Sequence, residues 1–292
     1  MPPIVPWVSY RWNYLCSNPR RLAITLKALP RHRPYQGLLG MNICWASHLD
    51  PAHRAAELHV VADEHAPSWL NFWVYDLSQL KSYLPRQLER YWANDKARWA
   101  LGMKLLMPYV SEGEPYLYTD DDVLVTRDPQ AWLTNSFGSK GCFRFVGRKQ
   151  ELASELFDAF SIPTREGVFD VGGLSETLLP AWKQYDNAAL DAGVWFQKYP
   201  DDWTTRLYRF ANMHYLKDIG LRNLEFRCLD QRFLTCFGIK HGWDVRTIGN
   251  GFAPVSKITP KLLERHPFFH YKSQSKEKWM RLFEDYYAAN QA

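Results

Sequence analysis

The chain has 292 residues, 46% hydrophobic and 23% charged, and its 36 basic against 31 acidic side chains give a formal net charge of +5. That is the composition of an ordinary globular protein with ample surface to bury, and it excludes a disordered tail or a disulfide-stapled miniprotein. No run approaches the ~18 consecutive apolar residues of a membrane span, and the N-terminal MPPIVPWVSYRW lacks a basic segment followed by a long apolar one. Five cysteines (Cys16, Cys44, Cys142, Cys228, Cys236) at irregular spacing, with no CxxC pair, fit a reducing compartment. The expectation is a cytoplasmic protein with no integral membrane association.

No internal repeat, low-complexity tract or Gly/Ser linker divides the sequence, so one domain over 1–292 is expected. In chain order, Pro6 to Arg11 reads as a strand. Arg20 to Leu29 reads as a helix, with Pro19 at its start and Pro30 ending it. Gly40 to Ala46 and Leu58 to Ala62 (LHVVA) read as strands, the second placing Asp63 at a strand end. Asp95 to Tyr109 predicts a helix with Trp99, Leu101, Met103, Leu105 and Leu106 inward and Lys96, Arg98 and Lys104 on its edges. Further on, Phe143 to Val146 and Val194 to Phe196 read as strands, and Asp201 to Tyr215, Asp230 to Phe237 and Lys278 to Ala288 as helices. Helices alternating with strands up to about Val125 predict an α/β fold with a mostly parallel central sheet, in which ligands bind at the carboxyl ends of strands.

The most informative word is Tyr116-Leu-Tyr-Thr-Asp-Asp-Asp-Val-Leu-Val125. Carboxylates form strands poorly and are costly to bury alone, so three of them between β-rich runs call for a cationic partner. A solvated turn is the competing reading. Strand alternation would point Asp120 and Asp122 to one side and Asp121 to the other, and two carboxylates on one side can share a divalent ion. Oxygen ligation by two acids leaves positions open, which suits Mg²⁺ or Mn²⁺ bridging the phosphates of a nucleotide.

Leu117-Tyr-Thr-Asp-Asp-Asp-Val-Leu-Val125, followed by Arg127-Asp128, resembles the DxD segment of GT-A-fold glycosyltransferases, in particular glycosyltransferase family 8, the glycogenin and lipopolysaccharide-galactosyltransferase group. Three further words agree in order. Asp191-Ala-Gly-Val194 is similar to that family's N-[AS]-G-V segment, Asp230-Gln231 to its DQ pair, and Phe269-His-Tyr271 with Lys276 and Trp279 to its C-terminal H-F-x-G-x-x-K-P-W segment.

The resemblance implies a GT-A (Rossmann-like) fold, with 1–129 as the nucleotide-sugar-binding half and 130–292 as the acceptor-side half. It implies Asp120, Asp122 and His270 as metal ligands. A neutral imidazole among hard oxygens favours Mn²⁺ over Mg²⁺. His266 competes for the histidine role, and His270 could instead be an aromatic-cluster histidine beside Phe268, Phe269 and Tyr271. Donor contacts are implied for Asp121, Ala192, Gly193 and Lys276, with Lys278 the alternative to Lys276 and either Arg98 or Lys104 supplied by the helix before the DxD. Asp230, Gln231 and Asp191 are the implied catalytic residues. Three departures stand out: Asp191 replaces an asparagine, Ser273 replaces a glycine, and an extra residue separates Lys276 from Trp279.

The resemblance implies a glycosyltransferase that moves a sugar from a nucleotide-sugar donor, a UDP-sugar, to an acceptor hydroxyl with retention. The acceptor expected is a glycan. Modified DNA carrying a hydroxymethylated base is the alternative, because RRLAITLKALPRHR is basic and KLLERHPFFHYKSQSKEKWMR alternates cations with aromatics. Two other classes compete: a metal-dependent nucleotidyltransferase or nuclease, and a non-catalytic sugar-nucleotide or nucleic-acid binding module.

Overall fold

The structure is a computed structural model that describes residues 7–46, 51–84, 103–134, 142–146, 164–165, 168–169, 193–197, 244–248, 256–264, 267–271 and 276–290. Its main sheet has five strands: β1 (Tyr10–Leu15), β2 (Leu38–Trp45), β3 (Phe72–Asp76), β4 (Tyr116–Asp120) and β9 (Val194–Gln197). Their spatial order is β3-β2-β1-β4-β9. The first four are parallel and β9 runs antiparallel to β4. The expected mostly parallel α/β sheet is therefore present.

Strand β1 is central and buried on both faces. It ends four residues later than the sequence reading, because Asn13, a polar interruption in sequence, is a core residue in space. Its amide donates to Ser111 Oγ at 2.7 Å and Met107 O at 3.1 Å, and its Oδ1 accepts from Asn42 Nδ2 at 2.8 Å. A buried amide with partners on both ends costs the strand little. Helix α1 (Pro19–Lys27) starts as expected: Asn18 is extended and its side chain accepts from Arg20 N at 2.9 Å, with Pro19 next. Leu22, Ile24, Thr25 and Leu26 are buried.

The LHVVA run is a correction. It lies inside α2 (Pro51–His65), so Asp63 is an exposed helix residue and not a strand end. Leu58 and Ala62 are buried at helical spacing while Val60 is 63% exposed, a pattern of period 3.6 that a five-residue run in isolation could not reveal. Of the helix expected over 95–109, residues 103–110 are described, as two short helical turns, Met103–Leu105 and Met107–Val110. The expected helices at 201–215 and 230–237 lie outside the described residues.

After β4 the chain turns into β5 (Val123–Val125) and then α3 (Gln130–Thr134). Strands β6 (Cys142–Val146) and β10 (Asp244–Ile248) form a parallel pair, and β7 (Thr164–Arg165) with β8 (Val168–Phe169) an antiparallel one. Near the C-terminus come α4 (Pro260–Leu263), β11 (Phe268–His270) and α5 (Lys276–Ala289). One core cluster joins β1, β2 and β4 to α1 and α2. A second joins Ile24 of α1 and Leu124 of β5 to Phe269, Tyr271, Trp279 and Phe283. Arg20 on α1 forms ion pairs with Glu277 and Glu284, fixing α5 beside α1.

Candidate functional site

The acidic triplet stands at the carboxyl end of the sheet. Asp120 is the last residue of β4, and Asp121 and Asp122 form the turn into β5. The triplet is thus a turn between two buried strands, and the three carboxylates diverge. Each meets its own cation.

Asp122 is 5% exposed. Its Oδ1 lies 3.1 Å from His270 Nε2 and its Oδ2 2.7 Å from Lys276 Nζ. Burial alone would oppose its ionisation, but His270 and then Lys276 outweigh that effect and hold the carboxyl well below its usual range. Asp120 lies 3.2 Å from Lys104 Nζ and accepts a short hydrogen bond from Tyr118 OH. Lys104 is 5% exposed and sits over the rings of Tyr118 and Trp195, which stack at 3.6 Å. Burial of a lysine is tolerated there because a carboxylate and two ring faces replace water.

Asp121 faces the other way. Its Oδ2 accepts from Ser17 N at 3.0 Å and from the Ser17 hydroxyl, and its Oδ1 accepts from Arg21 Nη1 at 2.7 Å. Burial dominates and raises its pKa despite Arg21. Ser17 and Arg21 had no place in the sequence reading. Their role follows from topology: Leu15 pairs with Asp120, so the parallel β1–β4 contact delivers the start of α1 to the triplet.

The distant segments arrive by strand pairing. Strand β11 runs antiparallel to β5 with His270 opposite Val123, which sets the imidazole beside Asp122. Tyr271 N donates to Asp122 O at 3.0 Å and Tyr271 OH to Asp121 O at 2.8 Å, so both turn carbonyls are tied to β11. Strand β9 brings Gly193, whose carbonyl accepts from Asp120 N at 2.8 Å. A Cβ at Gly193 would lie 3.0 Å from His270 Cε1, 3.4 Å from its Nδ1 and 3.5 Å from Asp120 Oδ2. Glycine therefore keeps open a small space bounded by a carboxylate and an imidazole.

The sequence-named residues sort as follows. Asp120, Asp121, Asp122, Gly193, His270, Lys104 and Lys276 come together. Lys278 is exposed, and of the two C-terminal lysines it is Lys276 that contacts the triplet. Arg98, Asp191, Ala192, Asp230, Gln231 and His266 lie outside the described residues.

The donor set fits a divalent ion in part. Two adjacent ligands each at ~2.1 Å of an octahedral ion are ~3.0 Å apart, close to the 3.1 Å between Asp122 Oδ1 and His270 Nε2. Carboxylate with imidazole suits a first-row ion such as Mn²⁺. The arrangement as it stands is filled by lysines, and among the described residues no group of three or more His, Cys, Asp or Glu is gathered for a metal. Only the Asp122–His270 pair stands at the spacing of two ligands of one ion, while Lys276 and Lys104 contact the carboxylates of Asp122 and Asp120.

This is the GT-A fold: a mostly parallel central sheet flanked by helices, with the acidic turn at the end of β4. Among solved structures, mouse xyloside xylosyltransferase 1 is similar at 11% identity, covering 90% of this chain and 97% of that one with a TM-score of 0.50. The WbbM bifunctional glycosyltransferase is similar at 15% identity and a TM-score of 0.52; the match covers 99% of this chain and spans about half (51%) of that protein. No protein-family model matches the chain. No curated protein matches it in sequence. Among the described residues no helix is long and apolar enough to cross a membrane.

Proposed function

We propose that the chain is a glycosyltransferase of the family 8 type, transferring a sugar from a UDP-sugar to an acceptor hydroxyl of a glycan. The observation that carries this reading is the convergence on one acidic turn of Gly193 and of His270 with Lys276, two segments far apart along the chain. Those are the residues the motif resemblance nominates, and the fold of the two glycosyltransferase structures supports it.

In this reading Asp120, Asp122 and His270 hold Mn²⁺, with Mg²⁺ the alternative. The ion's contribution when bound is to offset charge on the departing diphosphate. Asp122 is kept ionised through the physiological range by His270 and Lys276, so its oxygens are always acceptors. Lys276 supplies a point charge toward the leaving group, an interaction that strengthens as charge develops there. Lys104 and the Tyr118 hydroxyl hold Asp120 in place. Asp121 serves the site by orientation, through Ser17 and Arg21, and its donor contact is through the turn it shapes. Ala192 and Gly193 approach the donor sugar. Asp230 and Gln231 act on the acceptor side, with Asp230 orienting the hydroxyl and Gln231 presenting its carbonyl to the sugar face; Asp191 is the further catalytic residue, near the donor sugar, and retention of configuration is the outcome. The cytoplasm is the proposed location.

A glycan is favoured over modified DNA because three cations of the first basic segment are engaged internally: Arg20 with Glu277 and Glu284, Arg21 with Asp121, Arg31 with the His65 carbonyl. A nucleotidyltransferase or nuclease would use the same acids for phosphoryl transfer and release different products. The test is incubation with UDP-sugars and Mn²⁺, with the nucleotide product separated by chromatography. Release of uridine diphosphate by the native chain and its loss in Asp122→Asn are expected. Release of uridine monophosphate or pyrophosphate, or no turnover with any sugar nucleotide, refutes the proposal.

A further inference from the structure

The triplet and its surroundings are balanced charge for charge. Arg21 faces Asp121 at 2.7 Å, Lys104 faces Asp120 at 3.2 Å and Lys276 faces Asp122 at 2.7 Å. The three cations differ in how firmly they are held. The Arg21 side chain is 14% exposed and that of Lys104 only 5%, whereas that of Lys276 is 38% exposed. Arg21 makes a directed guanidinium contact, and Lys104 is enclosed by two aromatic rings. Lys276 sits at the first position of α5 on a flexible stem.

The helix that carries Lys276 is itself anchored. Glu277 and Glu284 pair with Arg20, and Trp279, Met280 and Phe283 are buried in the second core cluster. Any exchange at Asp122 therefore concerns the lysine side chain and leaves the helix in place. Among the three ion pairs this is the one that can open without disturbing the core.

From this asymmetry we infer that Lys276 is a resident counterion of Asp122 in the donor-free protein and passes from that carboxylate to the donor's diphosphate, so that divalent-ion entry competes with Lys276 and donor entry relieves the competition. The inference rests on the donor-site reading above and adds a role that the phosphate contact alone does not contain. While the ammonium occupies Asp122 Oδ2, a dication gains less from that carboxylate and feels an extra positive charge nearby. When a diphosphate is present the ammonium has another anion to pair with, and Asp122 is released. Ion and nucleotide then bind together far better than the ion alone.

The consequence has an unusual sign: removing a lysine should tighten binding of the metal alone. Lys276 is partly exposed and its pairing correspondingly modest, so the Lys276→Met variant should bind Mn²⁺ roughly 1.5- to fivefold more tightly than the native chain in the absence of nucleotide. Lys276→Arg, which retains the charge, should bind it as the native chain does. With uridine diphosphate present, Lys276→Met should lose most of the gain that nucleotide confers.

Free Mn²⁺ counted by its electron paramagnetic resonance signal measures all three proteins directly, with and without uridine diphosphate. Circular dichroism and a melting curve establish that each variant is folded. Tighter metal-only binding in Lys276→Met, absent in Lys276→Arg, supports the exchange. Equal or weaker binding in Lys276→Met, with the native chain still binding Mn²⁺ and nucleotide, overturns the exchange and leaves the donor-site reading intact. If the native chain binds no Mn²⁺ even with uridine diphosphate, both fall.

Discussion

Gly193→Ala probes the site with a single methyl group. The added Cβ would stand 3.0 Å from His270 Cε1 and 3.4 Å from Nδ1, with Asp120 Oδ2 at 3.5 Å. The first contact is well inside ordinary van der Waals separation, so the imidazole must retreat by a few tenths of an ångström. It has little room to do so, being 1% exposed with Nε2 already 3.1 Å from Asp122. Overpacking of this kind costs ~1–3 kcal/mol. Restricting the unfolded chain by Gly→Ala returns ~0.4–1 kcal/mol, leaving a net loss of up to ~2.6 kcal/mol. With an unfolding entropy of ~2.1 cal/mol/K per residue over 292 residues, 1 kcal/mol corresponds to ~1.6 °C, so the melting temperature should fall by up to ~4 °C. The greater effect is local: a displaced His270 should weaken Mn²⁺ binding in the presence of uridine diphosphate by about tenfold or more. Calorimetric melting and spin-resonance titration measure the two quantities. A variant that melts within 0.5 °C of the native chain and titrates identically would refute the geometry around Gly193.

Tyr271→Phe removes the hydroxyl that donates to Asp121 O inside a fully buried environment, and it should cost about 1–2 kcal/mol of stability, measured by urea denaturation. No loss there would mean that the tie between β11 and the turn is weak. Glu284 is held below its usual pKa mainly by hydrogen bonding from Arg20. Its contribution is therefore present above the unfolded value of ~4.3 and lost as pH falls through the lower folded value. Glu284→Gln should lower stability at pH 7 by ~0.2–1 kcal/mol, as for a partly exposed pair, and the difference from the native chain should vanish below the folded pKa. A difference that persists unchanged to the lowest pH would count against the ion pair. Lys104→Met leaves Asp120 without its enclosed counterion and should lower the melting temperature of the metal-free protein; Lys104→Arg should restore it only in part, because the ring cage fits an ammonium.

Much of the fold was legible where local chemistry and tertiary context agree. Asn18 and Pro19 announce α1 because a capping side chain and a fixed φ act within one turn. The run Tyr116–Thr119 reads as a strand and is buried throughout. LHVVA misled because its two valines resemble a short strand until Leu58 and Ala62 are seen to share the buried helix face and Val60 to face solvent. Asn13 hid most of β1, since the partners that make a core amide acceptable, Ser111 and Asn42, are remote in sequence.

The site divides along the same line. Asp120, Asp122, His270 and Lys276 were readable from motif words, and the structure brings them together through the β5–β11 pairing. Arg21 and Ser17 were invisible because their role depends on β1 and β4 being neighbours, a topological fact that no short word encodes. Between Arg98 and Lys104, only Lys104 falls among the described residues; spacing along a helix left both eligible, whereas its aromatic cage and its contact with Asp120 are three-dimensional.

The most direct measurement is an anomalous difference map from a crystal grown with Mn²⁺ and uridine diphosphate. The account predicts one strong peak at coordination distance, about 2.0–2.6 Å, from Asp120, Asp122 and His270, with Lys276 turned from Asp122 to the diphosphate. A map with the nucleotide bound but no peak at these three side chains, or with the peak held by other residues, would contradict it.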